Sequence, residues 1–135
     1  MKKLIFLLSM TFISVLSFSE GGLDIPLTTD GKLHEEKFLN KRFSYPETSD
    51  EFQIEKDANG YILTNYYDES DYLEKQVPIK IVKIRLKVHK NSILIPDKNC
   101  KDACYLGFSY DTKLKRVVIL DLKDMKIIYH ADDVH

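Results

Sequence analysis

The chain has no tryptophan, and among its 135 residues it has only five glycines, two cysteines and three arginines. Each scarcity removes a class of function. Five scattered glycines leave no Gly-rich loop able to cradle a phosphate group. Two cysteines cannot furnish a multi-bridge scaffold or a four-cysteine zinc site. Positive charge is not in excess: the formal net charge is −1, and −3 over residues 20–135, the wrong balance for a nucleic-acid binder. Beyond the first residues no apolar run approaches membrane length, and there is no internal repeat or low-complexity segment.

What is present begins with Lys2-Lys3 and then no charge from Leu4 to Ser19. That stretch is short of the roughly 20 apolar residues a transmembrane helix needs and is broken by Ser and Thr. It reads as a signal peptide over residues 1–19, with Ser17 and Ser19 at the small positions before cleavage; Ser19-Glu20-Gly21 would also serve. The expectation is an exported protein, periplasmic or secreted, with no span in the mature chain. Residues 20–135 suffice for one core without help from metal, and 44% hydrophobic content argues against disorder. Lysine far outnumbers arginine and alanine is scarce, a bias toward AT-rich codons that points to a bacterium.

Residues 20–41 read as an N-terminal arm carrying a possible short helix over Lys32 to Asn40 with Asp30 as its cap. From Arg42 to residue 135 the period changes to two. Phe52 and Ile54 alternate with Glu51, Gln53 and Glu55, and Asp57-Ala58-Asn59-Gly60 predicts a hairpin into Tyr61 to Tyr67. Ile84, Leu86 and Val88 alternate with Lys83, Arg85, Lys87 and His89, whereas Ile79 and Ile81 have the opposite parity. A β-bulge near Ile81-Val82 would reconcile them. Val117 to Leu120 is apolar on both parities, which predicts a strand covered on both faces. The expected fold is mainly β: a single antiparallel barrel or sandwich of six to eight short strands, with at most one short N-terminal helix.

Charge is sorted along the chain. Residues 47–74 carry −8 and residues 75–101 carry +7. On a strand, Lys83, Arg85, Lys87 and His89 share one face at intervals of about 7 Å, close enough to repel one another at physiological salt. Either the acidic hairpin answers them through Glu51, Gln53 and Glu55, or an anionic ligand does. Tyr61, Tyr66, Tyr67 and Tyr72 cluster in sequence between the hairpin and the basic strand, suited both to core packing and to recognition.

Cys100 and Cys104, in a loop of an exported chain, predict one disulfide; three intervening residues disfavour redox catalysis. Other chemistry fails on spacing. His34-Glu35-Glu36 starts like a zinc-protease helix, but Phe38 stands where the second His belongs. Gly107-Phe108-Ser109-Tyr110-Asp111 lacks the closing glycine of a nucleophile elbow. Asp57 to Gly60 and Asp68 to Asp71 are turns before they are calcium loops, and His130 with Asp132, Asp133 and His135 lies in a terminal segment. No cofactor or metal site is expected. These residues predict a non-catalytic binding or inhibitory module for a protein or an anionic envelope component, through the basic row and the tyrosines. The alternative is a small envelope hydrolase using dispersed carboxylates or His130.

Overall fold

Alternation organises the central strands, and turn chemistry joins them. The computed structural model describes residues 23–134; the expected signal peptide lies outside these residues. The strands are β1 (Ile25–Pro26), β2 (Arg42–Ser44), β3 (Glu51–Asp57), β4 (Gly60–Tyr67), β5 (Lys80–His89), β6 (Ile93–Pro96), β7 (Leu106–Asp111), β8 (Arg116–Asp121), β9 (Lys126–His130) and β10 (Asp132–Asp133). They form one antiparallel sheet in the order β10-β2-β3-β4-β5-β6-β7-β8-β9-β1. The protein is therefore mainly β, as the sequence predicts, but with ten strands among the described residues instead of six to eight, and the sheet is not closed into a barrel. The additional strands are two or three residues long, too short for periodicity to reveal.

The β3–β4 hairpin forms where expected, with Asp57 opposite Gly60. Gly60 takes φ +124°, which an L side chain rarely adopts, and the Asp57 carboxylate accepts the Asn59 N–H at 2.8 Å. The arm forms no regular helix. A single 3-10 turn, Glu35–Lys37, follows a left-handed His34, and Asp30 bonds the His34 ring and the Lys32 N–H instead of capping a helix. One four-residue helix, α1 (Ser70–Leu73), sits in the β4–β5 connection.

The sheet carries buried side chains on both faces. On one face Phe52, Ile54, Leu63, Ile84, Leu86, Leu94, Phe108 and Ile119 build the main core, in which the Phe52 and Phe108 rings lie 5.1 Å apart although β3 and β7 are not neighbours. On the other face Ile93, Val118, Leu120 and Ile127 are covered by Leu23 and Leu27 of the arm. Val117 to Leu120 are all buried, so β8 is covered on both sides as predicted. Asp111 anchors the covering arm: buried itself, it accepts the Thr28 N–H at 2.8 Å and the Leu114 N–H at 2.6 Å.

Two expectations for β5 need correction. Its pairing with β4 runs without a break from Tyr61↔Leu86 to Tyr67↔Lys80, so no bulge lies near Ile81-Val82. The irregularity occurs in β9, between Ile127 and Tyr129. Unbroken register sends Ile79 and Ile81 to the outer face, 47% and 57% exposed. Ile84 and Leu86 do point inward, but Val88, near the end of the strand, is 44% exposed.

Candidate functional site

Lys83, Arg85 and Lys87 lie on the outer face of β5, with Lys83 and Lys87 exposed and Arg85 and His89 half-buried. The acidic strand does not oppose them. β4 stands between β3 and β5, so Lys83 faces Thr64 and Arg85 faces Ile62. Glu51 instead pairs with Arg42 at 2.9 Å. Only the tip of the hairpin reaches the row: the Arg85 guanidinium donates to both Asp57 oxygens, at 2.9 and 3.1 Å. The Arg85 guanidinium and the Asn59 N–H hold the Asp57 carboxyl below its ordinary range. Lys83, Lys87 and the nearby Lys101 have no carboxylate within 4.0 Å among the described residues.

The four tyrosines do not share one surface. Tyr61 is buried, and its hydroxyl donates to Glu35. Together with Lys56 this lowers the pKa of Glu35. Tyr66 lies on the outer face beneath the Arg42 guanidinium, 3.8 Å from ring centroid to the carbon. Tyr67 turns to the opposite side of the sheet. Tyr72 stands alone on α1, 87% exposed. Alternation along β4 separates Tyr66 from Tyr67, because neighbouring strand residues face opposite ways.

Tyr67 belongs to a site the sequence did not single out. A cavity of about 320 Å³ opens at one end of the sheet, lined by Tyr45, Tyr67, Tyr105, Tyr129, Asp50 and Ile119 among others. Beside it runs a chain of hydrogen bonds. The Tyr45 hydroxyl donates to the carbonyl of fully buried Asn65, the Asn65 amide donates to the Tyr67 hydroxyl at 3.0 Å, and Tyr67 donates to Asp102 at 2.6 Å. Burial pushes both phenols well above their ordinary range, and the Asp102 carboxylate adds to the effect at Tyr67. These are positioned donors and not acids.

Asp102 lies in the loop closed by the Cys100–Cys104 disulfide, whose Cα atoms are 5.8 Å apart. The predicted bridge is thus formed, and a disulfide of this kind is more typical of exported proteins. Between its loop and β5 is a second opening, of about 370 Å³, bordered by Val82, Lys83, Arg85, Asp97 and Lys101.

His130, named for the hydrolase alternative, accepts a hydrogen bond at Nδ1 from Arg116 at 2.8 Å, while the other arm of that guanidinium binds Asp132. Burial and the adjacent Arg116 charge lower its pKa from 6.5. No cluster of three His, Cys, Asp or Glu side chains able to hold a metal occurs among the described residues. No helix there is long and apolar enough to cross a membrane. Comparison with protein-family models, with curated proteins and with solved structures finds no match to this chain.

Proposed function

We propose that this protein is an exported, non-catalytic binding or inhibitory module that engages a protein or an anionic envelope component through the basic face of β5. One observation carries the reading: Lys83 and Lys87 project from β5 with no carboxylate partner among the described residues. Like charges held in a row raise each other's energy, and an anionic partner relieves that repulsion on binding. The disulfide-closed loop beside the row supports an exported setting.

The hydrolase alternative calls for a pocket in which His or carboxylates converge. The cavity at the end of the sheet is lined by four tyrosines, apolar residues and a single carboxylate, Asp50, and His130 is tied to Arg116.

The test compares the wild type with a Lys83→Gln/Lys87→Gln variant, titrated with labelled polyglutamate and with phosphatidylglycerol vesicles at increasing salt. The wild type should bind at least one of these probes, with affinity that falls steeply as salt rises. The variant should keep wild-type stability and lose most of the binding. Equal binding by the two proteins, or no binding by the wild type, refutes the proposal.

A further inference from the structure

β5 is longer than the strand beside it, and the mismatch leaves backbone uncovered. β4 covers one side of β5 along the whole interval from Lys80 to Leu86. On the other side β6 pairs only with Leu86 to His89. The last contact there is the Asp97 N–H donating to the Arg85 carbonyl at 3.0 Å. The Arg85 backbone groups therefore point away from β4, and strand geometry sends those of Lys83 and Ile81 the same way. No ladder or loop bond meets them among the described residues. Beyond them lies the opening between β5 and the disulfide loop.

We infer that this open edge of β5 accepts an extended acidic peptide segment of a partner protein as an added strand, an inference that rests on the basic face being a binding face. Backbone groups of Ile81 and Lys83 would supply the ladder bonds. The charge of the edge selects the occupant. Lys83, Arg85 and Lys101 border the opening. Of these Arg85 is held by Asp57, whereas Lys83 and Lys101 have no carboxylate within 4.0 Å among the described residues; the two carboxylates there, Asp97 and Asp102, accept from the Asn99 N–H and the Tyr67 hydroxyl. A lysine on a free edge repels a second copy of the same strand, which is how edges resist self-association. The same lysine favours a strand of opposite sign. Side chains on the two faces of an added strand would meet different surfaces. Acidic residues would meet Lys83 on the outer face, and apolar residues would meet half-buried Val82 and buried Ile84.

The probe is a labelled octapeptide of alternating Val and Glu, used beside a copy N-methylated at alternate residues on its hydrogen-bonding edge. The protein variant is Ile81→Pro, which removes the open-edge N–H while leaving every base in place; the lost side chain is mostly exposed and its N–H serves no ladder. The wild type should bind the unmodified peptide. Both N-methylation and Ile81→Pro should weaken it about fivefold or more, as loss of one net hydrogen bond implies. Equal binding of methylated and unmodified peptide by the wild type overturns strand addition, and this arm stands even where Ile81→Pro fails to fold. Should both backbone changes be silent while Lys83→Gln/Lys87→Gln still abolishes binding of polyglutamate or vesicles, strand addition fails and the basic face survives. Loss of all binding to the wild type removes both. A wild-type dimer in sedimentation that Ile81→Pro converts to monomer overturns the acidic occupant in favour of a second copy.

Discussion

Asn65→Leu tests the hydrogen-bonded chain that ties the tyrosine cavity to the disulfide loop. The substitution keeps a side chain of similar size in a fully buried position and removes both amide functions. Tyr45, half-buried beside the cavity, would lose its acceptor and keep an unsatisfied donor, at about 1–3 kcal/mol. Tyr67 would lose one incoming bond and keep Asp102, a smaller loss of about 0.5–1.5 kcal/mol. Together the expected destabilisation is about 2–4 kcal/mol, or a fall in Tm on the order of 10 °C for a domain of this size. Equilibrium urea unfolding followed by tyrosine fluorescence reads it, with Tyr45→Phe and the double variant completing a cycle. Adding Tyr45→Phe to Asn65→Leu should recover about 1–2 kcal/mol, because the orphaned hydroxyl disappears with it. A single-variant loss below about 0.5 kcal/mol, or strict additivity across the cycle, would refute the reasoning.

Two further outcomes follow from geometry already given. Gly60→Val should cost more than about 1 kcal/mol in urea unfolding, and the cost is backbone strain at φ +124°, since a Cβ there meets only the Leu86 carbonyl at an ordinary 3.8 Å; unchanged stability would contradict the turn geometry. Acid should weaken the fold through Glu35: its folded pKa lies below the ordinary 4.5 because of the Tyr61 hydroxyl and Lys56. The unfolded chain therefore binds the proton first, and the contribution present above pH 4.5 is lost as pH falls through the lower folded value. Urea midpoints measured from pH 6 to pH 3 should fall less steeply for Glu35→Gln, and identical slopes would remove Glu35 from the account.

Features encoded by neighbouring residues were readable from the sequence. Asp57 and Gly60 carry the turn in their own backbone preferences, Cys100 and Cys104 are the sole possible bridge, and Val117 to Leu120 declare two-sided burial by being apolar on both parities. Inward Ile84 and Leu86, with outward Lys83, follow from alternation alone. Features that depend on distant chain were not readable. Ile81 looks like a core residue out of phase, and only the uninterrupted pairing with Tyr66 and its neighbours shows that it faces outward. Asn65 resembles any polar residue in a strand until Tyr45 and Asp102 arrive from other segments. The tyrosines cluster in sequence, yet the strand period parts Tyr66 from Tyr67, and Glu35 claims the Tyr61 hydroxyl from the N-terminal arm. The site at the end of the sheet had no local signal.

The short stretch from Lys126 to Asp133 also dictates when this protein can finish folding. Its first part lies between β8 and β1, and its last two residues pair with β2 at the opposite end of the strand order. Both ends of the sheet therefore wait for the same late-synthesised residues, and each pairing bridges most of the chain. Loop closure over such separations is slow, placing completion nearer milliseconds to seconds than microseconds. A chain still lacking this stretch can form neither terminal pairing. Structural completion is thereby tied to the arrival of this one stretch.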